Sequence, residues 1–165
     1  MTVTADTTAR IALPLDGAVR PYQLSTPGAW RRPDQPIMSR IAYAAAHVVP
    51  KVTADNTPGA PADLDWDATL AYRHELWSYG LGIADAMDTA QRGMGMSWPA
   101  TAELIRRSAA EAASVGGRLA CGAGTDQLEL ADIPSGAAGL TAVADAYREQ
   151  IATIREAGAQ VVVMA

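Results

Sequence analysis

Apolar positions along this chain recur in one order: an amphipathic helix, a glycine, then a short apolar strand. The pattern appears in HELWSYGLGIADAMD (74–88), EAASVGGRLACGAG (111–124) and IREAGAQVVVMA (154–165). An earlier apolar run, IAYAAAHVV (41–49), supplies a strand ahead of the first helix. Near-continuous apolar strands such as VVVMA suit burial on both faces of a parallel sheet, which needs crossover helices. The order β-α-β-α-β-α-β therefore predicts the first half of a (β/α)8 TIM-barrel type fold, with four parallel strands and three helices.

The boundaries follow from local signals. The strands are expected near 41–49, 83–88, 118–122 and 160–165. The first helix starts after Asp65, a suitable N-cap, with Asp67 in the first turn, and carries Trp66, Leu70 and Trp77 close to one face. The second begins near Pro99, a first-turn residue, and runs to Val115 with Leu104, Ile105, Ala109, Ala112 and Ala113 inward. The third spans about 138–157, with a stripe of Leu140, Val143, Ala144, Tyr147, Ile151 and Ile154 at helical spacing. Upstream, IALPLDGAVRPYQL places Asp16-Gly17 between apolar arms, a strong hairpin signal. Pro14 and Pro21 restrict those arms to edge positions. Residues 1–38 are read as an N-terminal extension with this hairpin, and residues 39–165 as the half-barrel.

Composition narrows the function classes. The chain has 165 residues, whereas a complete barrel of this kind takes about 250. A net charge of -5 argues against a nucleic-acid partner, which requires a basic face. Lys51 is the single lysine and Cys121 the single cysteine, so no disulfide can form within the chain. No apolar run approaches the roughly 20 residues of a membrane helix, and the N-terminus lacks the pattern of a signal peptide. A soluble, cytoplasmic protein that needs no cofactor or resident metal is expected.

In barrels, chemistry sits at the carboxyl ends of the strands. That rule selects four clusters: His47 and the loop with Lys51, Asp55, Asn56 and Thr57; then Asp88, Thr89 and Arg92; then Gly122, Gly124, Thr125 and Asp126; and, after the fourth strand, Met164 and Ala165. Of these, His47, Asp88, Thr89, Arg92, Gly122, Gly124 and Thr125 are the candidate substrate-binding residues, expected to share one end of the sheet. Glycines there let a ligand approach the backbone. The bland readings are a backbone-bonded strand histidine for His47, a turn cap for Asp88, a tight turn for the glycines and a buried small residue for Cys121. Lys51, on a polar loop, reads as a surface charge rather than a nucleophile.

A resemblance carries the reading further. Glu103-Leu104-Ile105-Arg106 on the second helix, Cys121-Gly122-Ala123-Gly124-Thr125 at the end of the third strand, and Ala157-Gly158-Ala159 before the fourth resemble the dihydrodipicolinate synthase and N-acetylneuraminate lyase superfamily. More closely, YAAAHVV, ADNTPGAP, LDWDATL, AMDTAQRGMG, WPATAELIRRSAAEA and CGAGTDQ resemble an actinobacterial family of uncharacterised dihydrodipicolinate-synthase-like proteins. The superfamily implies an aldolase or lyase acting on a small carbonyl or keto-acid substrate through a Schiff-base lysine on strand six and a tyrosine on strand five. Both would follow Ala165. The superfamily's paired threonines, which hold the keto-acid carboxylate, are matched only by Thr89, with Asp88 before it. An acid at that place would repel a carboxylate, and Arg92 could offset it if it points inward. Two alternatives remain: a metal-assisted enzyme using His47 with Asp55 or Asp88, and a non-catalytic half-barrel. The expected partners are a small-molecule substrate and a second copy or second half-barrel.

Overall fold

The Asp16-Gly17 step makes the turn that its sequence predicts. Both residues take positive φ, 51° and 76°, the conformation a two-residue hairpin turn demands and glycine adopts without cost. The arms are β1, Arg10–Leu15, and β2, Ala18–Gln23, paired antiparallel from Arg10 opposite Gln23 to Leu15 opposite Ala18. The computed structural model describes residues 10–25, 28, 34–35, 39–55, 62–87, 90, 92 and 95–164. It divides into two units, residues 1–32 with the hairpin and residues 33–165 with everything else.

The larger unit is a mixed α/β fold. Its strands are β3, Tyr43–Ala45; β4, Gly82–Asp85; β5, Leu119–Ala123; and β6, Gln160–Val163. They are parallel and lie in sequential order β3-β4-β5-β6, as the helix-glycine-strand pattern predicts. Three helices make the crossovers: α1, Trp66–Ser78; α2, Trp98–Val115; and α3, Ala137–Glu156. Among the described residues the sheet does not close on itself, and β3 and β6 each pair with one strand. No helix among them is long and apolar enough to cross a membrane.

Local chemistry sets these elements. The Asp65 carboxylate caps α1 by accepting the Ala68 N–H at 2.9 Å. Pro99 sits in the first turn of α2, where its missing N–H costs nothing, and the helix ends at Gly116 in a left-handed conformation. The strands are shorter than the apolar runs suggest. The first covers 43–45 rather than 41–49, because Pro50 and Leu64 bridge in the antiparallel sense and Lys51 N–H bonds Asp63 O at 2.9 Å. These contacts close the long loop between β3 and α1. The second strand ends at Asp85, three residues before Asp88.

The core lies between sheet and helices. Alternate strand residues Ile83, Leu119, Cys121 and Ala123 meet Leu104, Ile105, Trp77 and Ile154 there. Ile83, Leu104, Ile105 and Ile154 are fully buried, each contributing about 1.5–3 kcal/mol of transfer free energy. Two helical stripes differ from their apolar pattern. The buried line of α1 is Thr69, Arg73 and Trp77, because Asp85 at the end of β4 supplies a partner for the guanidinium. In α3 the buried residues are Gly139, Ala146, Gln150 and Ile154, while Leu140 is 75% exposed.

The other face of the sheet carries the small residues Ala45, Gly82, Ala84, Ala120 and Gly122 together with Tyr43, Gln160 and Val162. The Tyr43 ring lies over Gly82, and its hydroxyl donates to Gln160 Oε1 at 2.6 Å.

Candidate functional site at the strand carboxyl ends

Asp85 is the last residue of β4 and its carboxylate is fully buried. Arg73 grips it with both edges of the guanidinium, Nε to Oδ2 at 2.9 Å and Nη2 to Oδ1 at 2.6 Å. Arg73 Nη1 also donates to His47 O and Thr69 O, tying the end of β3 to α1. Such a pair is tolerable in a dry interior only because its charges and donors are met together. Asp85 Oδ1 further accepts the Ala86 N–H at 2.8 Å. That bond holds Ala86 at φ 52°, a conformation costly for a residue with a Cβ.

The strain at Ala86 turns its carbonyl toward a second arginine. Arg92 Nη1 donates to Ala86 O at 3.1 Å and to Gly122 O at 2.5 Å, joining the ends of β4 and β5. Its Nε reaches Asp126 Oδ1 at 2.9 Å, and Nη2 donates to Asp126 Oδ1 and to Gln150 Oε1. A guanidinium has five N–H donors, and all five are used here. Arg92 also packs over the Trp98 ring, 5.6 Å from its centroid.

Gln150 completes the network from α3. Its Oε1 also accepts the Gly124 N–H at 2.6 Å, and its Nε2 donates to Asp126 Oδ1 at 2.9 Å and to Gln127 Oε1 at 2.5 Å. It is fully buried, so each of these bonds is needed to offset desolvation. Burial pushes the Asp126 carboxyl up, but hydrogen bonds from Arg92 and Gln150 and the charge of Arg92 outweigh it. The group is held below its ordinary value. The Cys121 thiol goes the other way, raised by burial and by the nearby Asp85 carboxylate, which leaves it an inert packing group.

Gly122 explains itself by contact. A Cβ there would lie 2.6 Å from Met164 Sδ and 2.9 Å from Met87 Cγ, so two methionines cover this point of the sheet. The Tyr147 hydroxyl on α3 donates to Met164 O and fixes the end of β6.

The sequence candidates separate accordingly. Arg92, Gly122 and Gly124 come together in one network. Thr125 opens the following turn, its carbonyl accepting the Leu128 N–H at 2.9 Å. His47 is exposed and stacks on Tyr72 of α1, with ring centroids 4.6 Å apart. Asp88 and Thr89 lie outside the described residues. Lys51 pairs with Asp63 at 2.8 Å, its side chain half-exposed. Among the described residues no group of three His, Cys, Asp or Glu side chains could hold a metal ion. Sequence reasoning did not select Arg73, Asp85 or Gln150. The available signal was a polar residue in register with the apolar stripe, as Gln150 is with Ile154 four residues on.

An α/β protein with a four-strand parallel sheet, helices on one side and a polar network at the strand carboxyl ends is the class these features define. The chain matches the family described as a protein of unknown function, DUF993, over residues 11–165, and belongs to that family. No curated protein matches it.

Proposed function

We propose that the sheet of residues 33–165 is the first half of a (β/α)8 barrel, and that it supplies the strand-end face of a dihydrodipicolinate-synthase-like aldolase or lyase acting on a small carbonyl compound. The observation that carries this reading is the common direction of β3, β4, β5 and β6, which brings the loops after them to one edge, where Arg92, Gly122 and Gly124 meet. Barrel enzymes act at that edge. Lys51 sits half-exposed on a loop and pairs with Asp63, a poor setting for a Schiff-base amine, so the reading assigns the nucleophile to the other half of the barrel.

The small-residue face of the sheet supports the same barrel. Ala45, Ala84 and Ala120 project little from that face and leave space for side chains from facing strands, while the Tyr43 ring covers Gly82 and Met164 and Met87 cover Gly122. Pairing with a second half-barrel, from another copy or another chain, is the corresponding non-catalytic reading.

The test is ligand titration followed through the backbone amides of Gly122, Gly124 and Thr125. Small carbonyl compounds, with or without a carboxylate, should shift those three signals in a saturable way. Absence of any saturable shift across both kinds of compound would remove the aldolase reading.

A further inference from the structure

The helices pack against one face of the sheet, and the opposite face carries Tyr43 at the start of β3 and Gln160 at the start of β6. These strands are the two edges of the sheet, yet the Tyr43 hydroxyl donates to Gln160 Oε1 at 2.6 Å. The bond therefore crosses above β4 and β5. In a flat sheet, three inter-strand steps of about 4.8 Å would set β3 and β6 roughly 14 Å apart. The register adds to this. Tyr43 lies opposite Gly82, whereas Gln160 lies in line with Ala120 and Ala84, two residues or about 6.6 Å further along. The resulting diagonal of about 15 Å exceeds the combined reach of a tyrosine, a glutamine and one hydrogen bond, and strand side chains start out perpendicular to the sheet. The sheet must curl toward this face for the bond to form.

We infer that Tyr43 and Gln160 form a strap that holds the sheet curled toward the face opposite the helices, with Gly82 as the slot for the ring. A Cβ at Gly82 would lie 2.7 Å from both Cδ1 and Cε1 of Tyr43, so a side chain at this point of β4 would lift the ring off the sheet. Ala120 of β5 lies between the two ends of the span and is only 7% exposed, although it belongs to the face without helices. A phenol suits the role, since its ring covers backbone while its rigid axis carries a donor to the far edge. Tyr43, Gly82 and Gln160 each open their strand, so the strap sits at the amino ends, away from the Arg92 network at the carboxyl ends. It shapes the sheet without taking part in that network. The strap requires neither the aldolase reading nor a second half-barrel.

The experiment measures the separation of the two edges. Spin labels are attached through Ala45→Cys on β3 and Val162→Cys on β6, both exposed on the strapped face. Cys121 is fully buried and stays unlabelled. Dipolar EPR then compares the labelled chain with the same chain carrying Tyr43→Phe or Gly82→Ala. The first variant keeps the ring and loses the bond; the second keeps the bonding atoms and evicts the ring. Both should lengthen and broaden the distance between the labels. An unchanged distance in either variant overturns the inference. In the unlabelled chain, Tyr43→Phe and Gln160→Leu should each lower the folded-to-unfolded ratio about 2- to 10-fold, and the double replacement no further than the larger single effect. Fully additive losses would mean that the two side chains act separately, and the strap falls. Should Gly82→Ala fail to fold, proton contacts between the Tyr43 ring and the Gly82 Hα atoms of the wild-type chain decide in its place: their presence puts the ring in its slot, and their absence overturns the inference.

Discussion

Two arginine–aspartate pairs sit close to each other at the strand ends, one fully buried and one bordering solvent. Arg73–Asp85 lies between α1 and the end of β4 with both side chains fully buried, and Arg73 engages both carboxylate oxygens. Arg92–Asp126 lies above it with the acid 22% exposed, and Arg92 and Gln150 converge on one oxygen, Oδ1. Ala86 connects the two, giving its N–H to Asp85 and its carbonyl to Arg92. The lower pair is sealed and answers only to folding. The upper pair borders solvent, so pH, a ligand or a substitution can reach it. A charge pair answers to folding alone or also to pH and ligands according to whether its anion remains accessible.

The largest expected effect falls on the sealed pair. Arg73→Ala leaves the Asp85 carboxylate buried and without its cation and should cost about 3–5 kcal/mol in denaturant unfolding. The double replacement Arg73→Met with Asp85→Leu should recover most of that loss, since well-packed apolar groups replace a buried pair at little cost. A double variant as unstable as Arg73→Ala would show that the pair does more than satisfy itself.

The exposed pair should respond less strongly, and to pH. Asp126→Asn removes the charge but keeps an acceptor oxygen, for a loss of about 1–3 kcal/mol at neutral pH. The Asp126 carboxyl is held below its ordinary value of 3.8, so the folded state binds that proton more weakly than the unfolded chain. Its contribution is therefore complete above that value and is lost as pH falls through the lower folded value. The stability of the wild-type chain should drop over that acid window, and the Asp126→Asn variant should lose this part of the slope. An unchanged slope would mean that the Arg92 bond is not coupled to the ionisation of Asp126.

The smallest effect belongs to the residue between the pairs. Ala86→Gly relieves a left-handed alanine but frees the unfolded chain, so the gain should be at most about 1 kcal/mol. A loss instead would show that the two arginine clamps make this conformation cheap for alanine. The midpoint of denaturant unfolding is sufficient to read it.

Much of this fold was legible as pattern. Asp16-Gly17 specified a hairpin because few residue pairs tolerate two positive φ angles in succession. Asp65 and Pro99 marked the starts of α1 and α2, since capping and first-turn chemistry act over three or four residues. The helix-glycine-strand order dictated parallel strands in sequence, because a short crossover leaves no other route. The barrel rule and the glycines at the end of β5 also pointed to the carboxyl edge as the place for chemistry.

The sequence could not supply the side chains that meet from distant segments. Arg73 drew no reading from the sequence, because only the fold brings Asp85 beside it. Gln150 sat among apolar neighbours with no local reason, and its reason is a contact with Gly124 and Arg92, more than twenty residues away in either case. Leu140 fitted the apolar stripe of α3 and yet is exposed, because Gly139 packs against Pro134 and sets the rotation of the first turn. His47 was placed in the site by its position after a strand, and its ring turned instead to Tyr72. Local sequence determined which elements form and in what direction they run, since those depend on neighbours within a turn of chain. Only the tertiary structure decided which polar groups are buried together, because the cost of an unpaired charge is settled by whatever side chain packing brings within hydrogen-bond reach.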